Sequence, residues 1–248
     1  MVTRPPKVVF AFDSSAYNRS ERALLNAVRG SGITLLKVGL QAMTARAGLR
    51  GQSVADRAAA FWGPQHVLWD LKIHDTPDTV QQAIYNLTGT VWGVTLHASG
   101  GRAMLKAAVT GWRNKLHDIG PKSLQTRLFG VTVLTSLSGE CGSIFGSETP
   151  QKVLQFARFC ADEGIGGIVC SGQELQLLRN AGLVDSLATL VPGIRPEGAA
   201  PNDQARVTTP QEARKLGANF IVAGRIISDG PYPPAEAARR ICNEVGAQ

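Results

Sequence analysis

The sequence predicts an α/β fold, a single-domain (β/α)8 TIM barrel over residues 1–248, on three observations. Short β-branched runs alternate with longer amphipathic segments from end to end, the pattern of βα units built on a parallel sheet. Eight such units follow one another without a break in composition, which favours a closed barrel over an open doubly wound sheet. A chain of 248 residues with 44% hydrophobic and 18% charged residues has ordinary globular makeup and enough length for one full core.

The elements follow in order. Predicted strands occupy 8–13, 34–40, 66–72, 93–98, 128–135, 167–171, 189–194 and 219–224, each an apolar run with a helix candidate behind it. Helix starts are marked by a hydroxyl at Ser20, Thr76, Thr149 and Thr209. At the last three the next residue is proline, which suits the first helical position. Gly30, Gly164, Gly182 and Gly217 stand where helices should stop. Two connections are long, 139–148 after the fifth strand and 195–208 after the seventh. Both follow strand C-termini, where barrels of this kind carry their active-site loops.

Composition narrows the function. The net charge of +7 suits an anionic partner, but Lys and Arg are scattered rather than massed. Aromatic residues are only 6% and do not interleave with basic ones, so no nucleic-acid partner is expected. Cys141, Cys160, Cys170 and Cys242 have neither C-x-x-C nor metal-finger spacing, which predicts reduced thiols. The N-terminal residues lead into an apolar strand without a signal-peptide core, and no run is long enough for a membrane span. The expected location is cytoplasmic, with no membrane partner.

The most informative stretch is Asp70-Leu71-Lys72-Ile73-His74-Asp75, which sets a lysine between two carboxylates at the end of Val67-Leu68-Trp69. In a regular strand Asp70 and Lys72 share a face, with Asp75 just past the end. Unit charges about 4 Å apart interact by roughly 4 kcal/mol at an effective dielectric near 20, enough to orient an ammonium and to penalise a third anion. That suits a proton donor. Taken alone, the motif also fits a solvated ion-pair cluster on a strand edge.

In a barrel all strand C-termini share one mouth. Asp13, Lys37, Asp70, Lys72, His97, Thr135, Arg195 and Arg225 fall at or near those ends. A lysine inside Leu35-Leu36-Lys37-Val38-Gly39 needs an anion, and Asp13 and Asp70 on the flanking strands are the nearest candidates. This predicts an alternating array of Asp13, Lys37, Asp70, Lys72 and Asp75. Gly224-Arg225 after the eighth strand matches a barrel phosphate site, although a surface arginine there would be ordinary. Arg195 and Gln204 in the loop after the seventh strand are near enough to share that anion. His97 fits an acid or base, or equally a strand-end histidine bonded to backbone. His74 beside Asp75 could mimic a metal pair, but Lys37 and Lys72 would repel a divalent cation.

With these residues in hand, the chain resembles the orotidine 5'-phosphate decarboxylases over nearly its whole length. The matching motifs occur in order: Phe12-Asp13, Lys37-Val38-Gly39, Asp70 to Thr79, His97-Ala98, Val131 to Thr135, Pro192 to Pro196, Asp203-Gln204 and Gly224-Arg225. The resemblance implies decarboxylation of orotidine 5'-monophosphate to uridine 5'-monophosphate in de novo pyrimidine biosynthesis, with no metal and no cofactor. It gives Lys72 the proton transfer to C6 and places Asp70 against the departing carboxylate. Asp13 and Lys37 would bind ribose hydroxyls, Thr135 the pyrimidine, and Arg195, Gln204, Gly224 and Arg225 the phosphate. Asp75 and Thr79 would reach into a neighbouring subunit's site, which implies a homodimer.

Two departures are small, Thr76 where isoleucine is usual and Phe12 where leucine is common. Neither removes a functional group. The nearest enzymatic rival is a magnesium-dependent sugar-phosphate decarboxylase or aldolase-like lyase sharing D-x-K-x-x-D, against which Pro77, Thr79 and the Gly193-Ile194-Arg195-Pro196 loop argue. Rivals from other classes are a barrel that binds a nucleotide without turning it over and a basic RNA-binding scaffold. The intact array weakens the first, and the lack of a basic patch weakens the second.

Overall fold

A computed structural model describes residues 5–47, 51–87, 91–120, 126–137, 139–196 and 206–246. Eight parallel strands close into a barrel in chain order: β1 (Lys7–Phe12), β2 (Leu35–Gly39), β3 (Val67–Ile73), β4 (Gly93–His97), β5 (Arg127–Val131), β6 (Gly167–Val169), β7 (Ala188–Val191) and β8 (Phe220–Ala223). The fold is thus the TIM barrel predicted. No described helix is long and apolar enough to cross a membrane.

Strand alternation divides the apolar residues into two cores. On β1, Val8, Phe10 and Phe12 face the surrounding helices, whereas Val9 and Ala11 face the interior. The interior core also takes Leu35, Leu68, Phe129, Leu190, Phe220 and Val222. At its lower end Trp92, Phe129 and Phe220 meet edge-on or tilted, with ring centroids 4.9–6.1 Å apart, and form an aromatic floor. Glycine makes room for it: a Cβ at Gly167 would lie 2.7 Å from the Phe129 ring and 2.6 Å from the Ala188 carbonyl oxygen. Above this floor the inward positions of β1 to β3 change from apolar to charged, which sets the polar site at the C-terminal mouth.

Helix boundaries follow local capping, with two corrections. The helix Arg19–Arg29 is capped by Asn18, whose side chain accepts from the Ser20 and Glu21 amides, so Ser20 lies inside it. The helix Thr149–Glu163 starts at Thr149 itself, and no side chain caps it. The helix Pro210–Lys215 has the expected Thr209 cap, completed by Glu212 into a capping box. Strands β5, β6 and β7 end earlier than predicted, at Val131, Val169 and Val191. Val133 and Ile194, which extended the apolar runs, are instead buried in the loops at the mouth.

Candidate active site

Ala11 on β1 lies beside Lys37 on β2, and Gly39 beside Asp70 on β3, so neighbouring strands carry their charged residues to one level. The Lys37 ammonium sits between two carboxylates, 3.2 Å from Asp13 Oδ1 and 3.1 Å from Asp70 Oδ2. Lys72 Nζ approaches the same Asp70 Oδ2 at 2.9 Å. Asp13, Lys37, Asp70 and Lys72 therefore form one continuous ion-paired chain. Gly39 accommodates it, since a Cβ there would stand 3.4 Å from Asp13 Oδ1 and 3.6 Å from Lys37 Nζ.

Burial and pairing compete at each member. Burial alone would pull the Lys37 ammonium toward neutrality, but Asp70 and then Asp13 outweigh it, and its pKa lies above the ordinary value. Burial alone would raise Asp70, but Lys37 and Lys72, with hydrogen bonds from Lys72 and Thr95, lower it from 3.8 to about 2. Exposure increases outward: the Lys37 and Asp70 side chains are 13% and 12% exposed, Lys72 33% and Asp13 49%. Lys72 is thus the array's ammonium most open to a ligand.

Both Asp70 and Lys72 face the cavity, though β3 is not regular there. Trp69 pairs with Val94 and Ile73 with Leu96, so four steps along β3 face two along β4, and Lys72 has a left-handed φ of 49°. The bulge aims both side chains inward. Asp75, predicted in the array, is not part of it in the single chain. Its exposed carboxylate accepts from the Thr76 amide at 2.6 Å, and no cation among the described residues pairs with it. The chain turns away after Ile73. Thr79 is exposed on the same side, with Oγ1 3.0 Å from Thr76 Oγ1.

The array opens into a cavity of about 290 Å³ that is also lined by Thr135, Arg195, Gly224 and Arg225. In the eight-strand ring β7 lies across from β3, so Arg195 opposes Asp70 and Lys72, whereas β8 adjoins β1 and brings Arg225 to the Asp13 side of the array. Four lining cations against two lining carboxylates leave the cavity positive, which suits a ligand with several negative charges. Arg195 is buried, and Ile194 and Thr208 pair as a parallel bridge at the base of its loop. Gly193, just before them, has φ 76°. Gly224 allows closure: a Cβ there would come within 3.1 Å of Ala11 Cβ. Gln204 lies outside the described residues.

His97 is half-buried at the end of β4, with its ring 5.7 Å from that of His74, and does not line the cavity. Burial first, then His74 and Lys72, lowers its pKa. Among the described residues no group of three or more His, Cys, Asp or Glu side chains is arranged to hold a metal. All four cysteines are unpaired and buried, and Cys170 lines the cavity wall.

Sequence reasoning passed over two features. Thr95, fully buried on β4, donates to Asp70 Oδ1 and accepts from the Lys72 amide, both at 2.9 Å. Its signal was a polar residue at an inward position of an apolar strand. The second is a buried pair, Glu174 with Arg206. Arg206 also donates to the Val133 and Leu134 carbonyls at 3.2 and 3.0 Å, and so joins the loops after β5, β6 and β7. Burial raises Glu174 against the pull of Arg206.

Comparisons with known proteins agree with this architecture. The chain is 44% identical over 201 residues to the orotidine 5'-phosphate decarboxylase of Nitrosococcus oceani, covering 80% of this chain and 81% of that one. It is 42% identical over 212 residues to that of Anaeromyxobacter sp. (strain K), covering 84% and 86%. The crystal structure of orotidine 5'-phosphate decarboxylase from Lactobacillus acidophilus superposes with a TM-score of 0.77 at 26% identity, covering 98% of this chain and 99% of that chain. The model of the orotidine 5'-phosphate decarboxylase / HUMPS family matches residues 6–241, and the chain belongs to that family.

Proposed function

We propose that this protein decarboxylates orotidine 5'-monophosphate to uridine 5'-monophosphate in de novo pyrimidine biosynthesis, without metal or cofactor. The observation that carries the reading is the Asp13–Lys37–Asp70–Lys72 chain, which lines one cavity together with Arg195 and Arg225. The bond from C6 to the carboxylate breaks and its electron pair stays on C6. Carbon dioxide leaves, and a proton from Lys72 Nζ forms the new C6–H bond. The neutral amine then recovers a proton from solvent.

The phosphate is far from the reacting carbon. Its binding to Arg195, Arg225, Gln204 and the Gly224 backbone holds the carboxylate against Asp70 and C6 against Lys72, so remote binding becomes rate. Asp13 and Lys37 hold ribose hydroxyls, and Thr135 holds the pyrimidine. The preorganised ammonium stabilises charge developing at C6, which is the larger share of catalysis. This reading is tested by following the loss of orotidylate near-ultraviolet absorbance, with and without EDTA. Turnover that is indifferent to EDTA is expected. Binding without turnover would leave a nucleotide-binding barrel, and loss restored by magnesium would favour a metal-dependent lyase.

Arg225→Ala should raise KM by roughly a hundredfold, the value of a hydrogen-bonded charge, with a smaller effect on kcat. Steady-state kinetics would contradict the phosphate role if KM stayed within threefold of wild type. The exposed Asp75 and Thr79 fit a homodimer in which each completes its partner's site, with the protein in the cytoplasm. Mixing inactive Lys72→Ala with inactive Asp75→Ala should then restore roughly a quarter of the sites after random exchange of subunits. No recovery despite exchange seen by native mass spectrometry would refute sharing.

A further inference from the structure

Thr95 joins the two residues on which the proposed chemistry turns, and it does so where the sheet itself gives no support. Across residues 70–72 the β3–β4 ladder is interrupted, since the pairings Trp69–Val94 and Ile73–Leu96 leave the intervening β3 residues without regular partners. The Lys72 amide is one of the groups left over. A buried N–H without an acceptor would cost about as much as a lost hydrogen bond, and here Thr95 Oγ1 accepts it at 2.9 Å. The same oxygen carries one proton, which it donates to Asp70 Oδ1 at 2.9 Å. Each partner fixes the role of the hydroxyl toward the other.

The remaining Asp70 oxygen, Oδ2, is the one shared by Lys37 and Lys72. With Oδ1 held by Thr95, the carboxylate cannot rotate to exchange its oxygens, and its lone pairs stay aimed at the two ammonium groups. Lys72 meanwhile holds a left-handed backbone, which is strained for a non-glycine residue and persists only where surroundings enforce it. Thr95 is fully buried and β-branched, so its rotamer is nearly fixed and water does not compete for its hydroxyl. We infer that Thr95 is a positioning residue for decarboxylation, a single hydroxyl that locks the Asp70 carboxylate and the Lys72 main chain together and so sets where the ammonium meets C6. The inference rests on the proposed decarboxylase reading and adds a residue to its machinery.

Thr95→Val keeps shape and branching and removes both hydrogen bonds. Its kcat for orotidylate should fall roughly ten- to a hundredfold, the scale of losing a hydrogen bond to a charged group in a site whose geometry sets the rate. The phosphate grip lies across the cavity and is untouched, so calorimetric affinity for uridine 5'-monophosphate should stay within threefold of wild type. Thr95→Ser restores the hydroxyl and should recover most of kcat. A purely structural threonine would lower the melting temperature and leave kcat unchanged in the folded protein, and that result would overturn the inference. Equal kcat for the Ser and Val variants would overturn it too. Should Thr95→Val fail to fold, Thr95→Ala takes its place beside Thr95→Ser: a Ser-to-Ala kcat ratio of ten or more at equal product affinity supports the inference, and a smaller ratio overturns it. Wild-type protein that does not consume orotidylate would sink the decarboxylase reading itself, whereas active wild type with a fully active Thr95→Val sinks only the role of Thr95.

Discussion

Replacing Lys72 with alanine is expected to abolish measurable decarboxylation while the barrel stays folded. The side chain is one-third exposed and, among the described residues, its ammonium pairs with Asp70 Oδ2 alone, and Asp70 keeps Lys37 and Thr95 as partners after the change. Alanine occupies the left-handed conformation at position 72 no more and no less readily than lysine does, so backbone strain is unaltered. The proposed chemistry loses both its proton source and the cation nearest the developing charge. A fall in kcat of at least roughly a thousandfold follows from losing general-acid and electrostatic contributions together. Uridine 5'-monophosphate should still bind, because Arg195 and Arg225 remain in the cavity wall. Stopped assays at high enzyme concentration decide the point, and a variant with kcat within tenfold of wild type would mean that another group delivers the proton.

The second large effect is on stability. Asp70→Ala removes the carboxylate on which both ammonium groups converge and leaves the buried Lys37 with only Asp13, whose side chain is half exposed. Breaking a buried ion pair from one side costs about 3–5 kcal/mol, and the remaining Asp13 contact places the expected loss near the lower end, about 3 kcal/mol. Asp13→Ala, at the exposed end, should cost about 1 kcal/mol. The Asp70 loss should also depend on pH. In the folded protein this carboxyl titrates at about 2, against an ordinary 3.8 when unfolded. Its ionised form is therefore favoured by folding. That contribution, about 2 kcal/mol, is complete above about pH 4 and disappears as pH falls to about 2. Urea denaturation of wild type and Asp70→Ala between pH 7 and pH 3 should show the two curves converging as the solution becomes more acidic. A constant gap over that interval would mean that the array does not hold Asp70 ionised.

Asp13, Lys37, Asp70 and Lys72 were legible in the sequence because a charge at the end of an apolar run has few structural reasons to be there. Placing those runs on adjacent strands was enough to bring the charges together. Asp75 was read into the same array because its spacing continues the pattern, but linear spacing does not register that the backbone leaves the strand after Ile73. Lys72's left-handed backbone was invisible for a related reason. Glycine or asparagine announces such a conformation in a sequence, and lysine does not. Thr95 is an ordinary strand residue by composition, and its importance comes from an interrupted ladder that only three-dimensional pairing reveals. The strand ends after β5 and β7 were overextended because Val133 and Ile194 are as buried as ladder residues. Burial and apolar character do not tell a strand from a loop folded over a barrel mouth.

The rings of Trp92, Phe129 and Phe220 have one more consequence for turnover. With that stack and the aliphatic layer above it filling the barrel, the reaction chamber is a cup rather than a tube. Gas and nucleotide must leave by the door through which the substrate came in. Gly193 and Arg195, just after β7, line that door, so both products pass them on the way out.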